Sequence, residues 1–204
     1  MMAHESIEER ARMACLEGQY ELATQVALEG YSREIYGFLL AKFRGQSTYA
    51  DDVFSEFCET LWSTLSSFQW RCSIRSWCYS LARSSASRHQ RTSHHQCERT
   101  IPLSAAPWIE HLTVQLRTST RPHLKSEVKD EFQRLRERLS EDDQDLLILR
   151  VDRGMAWHDI AHAMLSSEAM DDDDSTRRVE AALRQRFVEV KRRLKHLATE
   201  AGLL

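Results

Sequence analysis

The sequence predicts an all-α protein built as two small helical domains joined by a flexible linker. Three observations lead there. Apolar residues recur at helical spacing through most of the chain. Only six Gly and three Pro occur in 204 residues, too little turn punctuation for an all-β protein. The three prolines all fall in one stretch where the periodicity fails. A chain of this length, 42% hydrophobic, can bury one medium core or two small ones.

From Ile7 to Phe43 the pattern Leu16, Tyr20, Ala23, Ala27, then Ile35, Phe38, Leu39, Phe43 predicts two or three short amphipathic helices, with breaks near Gly18, Gly30 and Gly45. A further helix is predicted by Ala50, Val53, Phe54, Phe57, Leu61 and Leu65. It follows a Ser47-Thr48 capping signal and carries Asp51 and Asp52 in its first turn, where the helix dipole favours negative charge. Leu61, Trp62 and Leu65 are assigned to its core side. A turn over Gln69–Ser73 leads into a helix with Ile74, Trp77, Cys78, Leu81 and Ala82 on one side and Arg75, Arg83, Arg88 and Arg91 on the other.

Between His94 and His123 the pattern lapses, and Pro102, Pro107 and Pro122 lie among Ser, Thr and His. The predicted division is a first domain over 1–93, a linker over 94–125 and a second domain over 126–204. In the second, Val128, Phe132, Leu135 and Leu139 precede a helix that Ser140-Glu141-Asp142-Asp143 caps and Gly154 ends after Arg150. A short helix over Trp157–Leu165, an acidic spacer containing Asp171–Asp174, and a long basic helix over Ser175–Ala201 complete the chain. Its seam is Val179, Leu183, Phe187, Val190 and Leu194.

The formal net charge of −3 conceals segregation along the chain. Residues 1–70 carry 5 basic and 11 acidic side chains, 71–125 carry 9 and 2, 126–175 carry 6 and 15, and 176–204 carry 8 and 3. Two basic blocks separated by acidic ones suit a protein that meets nucleic acid at two places and other surfaces between them. No apolar run approaches the roughly 20 residues that cross a bilayer. The acidic start lacks the basic and apolar regions of a signal peptide, so a cytoplasmic protein is expected. The five cysteines form no CxxC pair and are expected as thiols.

The run from Ala50 to Trp62 (ADDVFSEFCETLW), then Leu65 and Phe68, then Ser73 to Arg83 (SIRSWCYSLAR), resembles region 2 of the extracytoplasmic-function sigma factors of bacterial RNA polymerase. The agreement in spacing covers some 35 positions; Ser55 stands where Gln is usual and Ser84 where Asn is usual. The resemblance implies that the helix from Ala50 docks on the clamp helices of the polymerase β′ subunit, with Asp51, Asp52, Ser55, Glu56 and Glu59 at that contact. It implies that the loop from Phe68 to Ser73 and the helix after it melt and hold the −10 promoter element, through Trp70, Arg71, Arg75, Arg83, Ser84, Arg88 and Arg91. Melting needs only a site that prefers a single strand and an extruded base to the duplex, which basic groups beside aromatic ones supply. Trp70 admits two readings, a platform for a base and a lid on the core.

Leu139 to Arg150 and Gly154 to Ala161 are similar to sigma region 4, with Trp157 for Tyr and Asp159 for Glu. The resemblance implies a helix-turn-helix entering the major groove of the −35 element and touching the polymerase β flap. Arg177, Arg178, Arg184 and Arg186 are its candidate DNA contacts, because a recognition helix reads bases from its N-terminal turns. Core RNA polymerase and promoter DNA are the partners implied, with an anti-sigma factor a further candidate.

Three alternatives stand beside this. A helix-turn-helix regulator that does not bind polymerase would account for Trp157–Arg186 and leave Ala50–Arg83 unexplained. A metal-binding regulator is suggested by His89, His94, His95 and Cys97, whose spacing is poor for zinc, so no metal and no cofactor is expected. An enzyme is not expected: no Gly-rich phosphate loop, Ser/His/Asp frame or catalytic residue is discernible.

Overall fold

The computed structural model describes residues 6–93, 134–165 and 173–203, and every regular element among them is helical. Contacts divide the chain into two compact units, Met1–Thr120 and Arg121–Leu204. The expected linker over 94–125, with Val128 and Phe132, lies outside the described residues.

In the first unit, α1 (Ile7–Leu16) opens on a capping box: the Ser6 hydroxyl accepts from the Glu9 amide while the Glu9 carboxylate accepts from the Ser6 amide. Gly18, at φ +74°, turns the chain into α2 (Tyr20–Lys42). The expected break at Gly30 does not occur; α2 runs through it. The glycine is there for proximity, since a Cβ on Gly30 would sit 2.8 Å from Ile7 Cγ2. Helix α3 (Ser47–Thr64) starts earlier than predicted. Gln46 is its N-cap, without a side-chain cap bond, so Ser47 is already helical and Asp51 and Asp52 fall beyond the first turn. A 3₁₀ turn (Leu65–Ser67) and a loop lead to α4 (Ile74–Ser93).

The core of this unit lies between α2, α3 and α4. Tyr36 meets Phe54 edge to face at 5.6 Å and Phe38 meets Tyr79 at 5.5 Å, and all four rings are fully buried. Burying each such side chain contributes roughly 1.5–3 kcal/mol. Leu61 and Leu65 are buried as expected, but Trp62 is 39% exposed. It sits about 100° round the helix from Leu61, and a turn of that size takes it off the core stripe.

In the second unit, a helical turn at 134–137 precedes α5 (Glu141–Leu147), whose N-cap Ser140 accepts from the Asp143 amide. The predicted helix through Arg150 changes character at Ile148, where a π-helical turn (Ile148–Asp152) takes over and the Arg153 amide reaches back to the Ile148 carbonyl. Gly154, at φ +62°, ends it. Then follow α6 (Trp157–Met164) and the long α7 (Asp173–Glu200). Leu183 and Val190 of the α7 seam are buried, and Leu139, Leu147 and Val190 cluster with Phe187 and Leu194. No described helix is long and apolar enough to cross a membrane.

Candidate nucleic-acid interface

The loop between Leu65 and Ile74 is shaped by aromatic contacts and by the demands of a helix N-terminus. Phe68 stacks on Trp77 at 4.4 Å with the rings 17° apart, and touches Trp70 at 5.0 Å. Trp70 has φ +56°, a left-handed backbone that costs a bulky residue about 1–3 kcal/mol and persists only where its surroundings hold it. The Arg12 guanidinium of α1 lies 5.8 Å from the Trp70 ring centroid. Trp70 is half-buried and Arg71 exposed.

The first amides of α4 have no partners within the helix. Ser73 caps the third, accepting from the Ser76 amide at 3.1 Å. Glu8 of α1 takes the first two: its carboxylate accepts from the Ile74 amide at 2.9 Å and the Arg75 amide at 3.1 Å, and also from the Tyr31 hydroxyl at 3.0 Å. The Tyr31 hydroxyl is pushed well above its ordinary pKa, by burial first and by the Glu8 charge next.

Along α4 the predicted DNA contacts separate. The Arg75 guanidinium is committed to Glu34 of α2, with Nε–Oε1 and Nη2–Oε2 both 2.8 Å, and this hydrogen bonding raises its pKa. It ties α4 to α2 instead of standing among the outward-facing cations. Arg88 pairs with Glu56 of α3 at 2.8 Å, so a residue expected to meet DNA and one expected to meet polymerase are bonded to each other. Arg83 is half-buried, Ser84 exposed, and the exposed Arg91 donates to the Ser87 carbonyl.

The acids of α3 also differ from one another. Asp52 is exposed and Glu59 half-buried. Asp51 accepts a 2.6 Å bond from the Tyr36 hydroxyl. Ser55 is 9% exposed and donates to the Asp51 carbonyl one turn earlier in α3 at 3.0 Å.

In the second unit the α7 arginines carry ion pairs. Arg178 meets Asp174 at 2.6 Å and Arg184 meets Glu180 at 2.8 Å, each within the helix, while Arg186 reaches Asp143 of α5 at 2.6 Å. Arg177 is exposed. Asp174 lies in the first turn of α7 and not in a spacer before it; Asp171 and Asp172 lie outside the described residues. Trp157 is flanked by Arg150 at 4.7 Å and Arg184 at 5.9 Å. His158 meets Glu180 at 3.2 Å and His162 ring to ring at 4.6 Å. Burial, then the neighbouring His158, holds the His162 pKa below 6.5.

Sequence reading missed Glu8, Arg12 and Glu34. Their partners are far along the chain, and no local pattern announces them. Arg186–Asp143 had a partial signal, since Asp143 belongs to the capping sequence of α5. Among the described residues no cluster of three or more His, Cys, Asp or Glu is arranged for a metal. His89 packs on Phe43 and Tyr49, and His94, His95 and Cys97 lie outside the described residues. No family model matches the chain, and no curated protein or solved structure matches it either.

Proposed function

We propose that this protein is a sigma factor of the extracytoplasmic-function type, which binds core RNA polymerase, holds a melted −10 element with its first unit and recognises a −35 element with its second. The observation that carries the reading is the loop at the N-terminus of α4. It brings an indole, a guanidinium and a second aromatic ring together, Trp70, Arg12 and Phe68, with the exposed Arg71 next in the chain. Stacking on an aromatic side chain contributes roughly 1–3 kcal/mol per base, and flanking guanidinium groups meet the phosphates. Arg83, Ser84, Arg88 and Arg91 would extend the contact along α4.

Asp52, Glu56 and Glu59 are the acids through which α3 would meet the polymerase. Arg177, Arg178 and Arg184 would reach the −35 element. The exposed Arg178–Asp174 pair does not oppose this. Surface pairs are worth about 0–1 kcal/mol, so a DNA phosphate can replace a carboxylate partner at little cost.

Run-off transcription with core polymerase tests the proposal. Added protein should start transcripts from a promoter-containing genomic template, and changing Asp52 and Glu56 together to Ala should weaken core binding. If no transcript starts while the same core is active with another sigma factor, the proposal fails.

A further inference from the structure

The N-terminal helix α1 lies outside the stretch that carries the family resemblance, yet two of its side chains reach the loop before α4. Glu8 and Arg12 are four residues apart, so they share one face of α1. That face is turned to the loop: Glu8 holds the Ile74 and Arg75 amides, and Arg12 lies over Trp70. The upstream end of the loop is fixed by Phe68 on Trp77. Its downstream end is fixed where α4 begins, by Ser73 and Glu8 together. The left-handed Trp70 between them requires both ends to be held. Glu8 is itself anchored by the Tyr31 hydroxyl, so the carboxylate links α1, α2 and α4.

We infer that Glu8 is a positioning residue for the single-strand site: by holding the first turn of α4 it sets where the loop carries Trp70 and Arg71. The inference rests on the sigma-factor reading. Glu8 touches no nucleic acid; its effect on base choice passes through the loop. With the carboxylate gone, two amides of α4 lose their acceptor, the first turn loosens, and the Trp70 ring no longer faces a base in one fixed orientation. Overall strand affinity depends on arginines outside this turn and should change less than base preference.

The test uses the full chain with core polymerase and a randomised pool of short single-stranded DNA. Bound strands are sequenced to give the preference for each base at the most selective position. Glu8→Ala should lower that preference about tenfold, a loss of about 1.4 kcal/mol of discrimination between bases. Glu8→Gln, whose amide oxygen still accepts an N–H, should be intermediate. Ser6→Ala weakens the cap of α1 but keeps the Glu8 carboxylate, and should lower the preference less than Glu8→Ala does.

If Glu8→Ala retains the wild-type preference, if Ser6→Ala lowers it equally, or if Glu8→Gln is no better than Ala, the inference is overturned. If the wild-type complex forms but shows no base preference, the single-strand reading of the loop fails instead.

Discussion

Removing the Arg75 side chain should destabilise the first unit by about 2 kcal/mol, within the range of about 1.5–3 kcal/mol for hydrogen bonds to charged groups. Two bonds of 2.8 Å join it to Glu34, and the two side chains are only 29% and 21% exposed, so solvent screens the pair weakly. Arg75→Ala leaves the Glu34 carboxylate in a half-buried site without its cation. That is the costly way to break such a pair, whereas replacing both partners with Leu should recover part of the loss. For a unit of this size about 2 kcal/mol corresponds to roughly 8–16 °C in Tm. Hydrogen exchange of the α2 and α4 amides in the full chain would read the change in this unit alone, and a double-mutant cycle with Glu34→Ala should return a coupling of about 1.5 kcal/mol or more. If Arg75→Ala costs less than about 0.5 kcal/mol while reducing DNA affinity, Arg75 acts at the surface and the internal role assigned to it is wrong.

Three further outcomes are expected. Gly30→Ala should destabilise by about 1–3 kcal/mol despite the better helix propensity of Ala, because the new methyl meets Ile7; in an Ile7→Ala background the sign should reverse, as denaturant titration would show. Burial raises the Cys58 and Cys78 thiols above their ordinary range, so both should resist alkylation near neutral pH until the chain is unfolded, with the half-buried Cys15 and Cys72 reacting before them in mass mapping of the described cysteines. The native His162 binds its proton less readily than the unfolded chain, whose value is near 6.5, so the second unit should lose stability as pH falls below about 6.5 and on through the lower native pKa. His162→Leu should flatten that dependence in thermal scans at about pH 7.5 and about pH 5.5.

Much of the fold was legible because its period is local. The stripes that define α3, α4 and α7 recur every three or four residues, and the left-handed glycines at 18, 45 and 154 mark real ends. Gly30 misled because the same residue serves for turning a chain and for letting two helices touch, and only a neighbour 23 positions away decides which. The start of α3 was misplaced because Ser47 suits a cap and also tolerates a first helical turn. The site was less legible than the fold. Sequence places basic and acidic residues on helices, but cannot tell which cation already has an anion. Arg75 and Arg88 look alike along α4; one closes on Glu34 and the other on Glu56, through folds of the chain that no spacing encodes.

The Arg88–Glu56 bridge gives the first unit a form of bookkeeping between its two surfaces. One carboxylate and one guanidinium satisfy each other only while neither is claimed from outside. A ligand that engages Glu56 releases Arg88, and a phosphate that engages Arg88 releases Glu56. Thermodynamic linkage makes the two effects equal, so whatever help binding at Glu56 gives to binding at Arg88 through this bridge, binding at Arg88 returns to binding at Glu56.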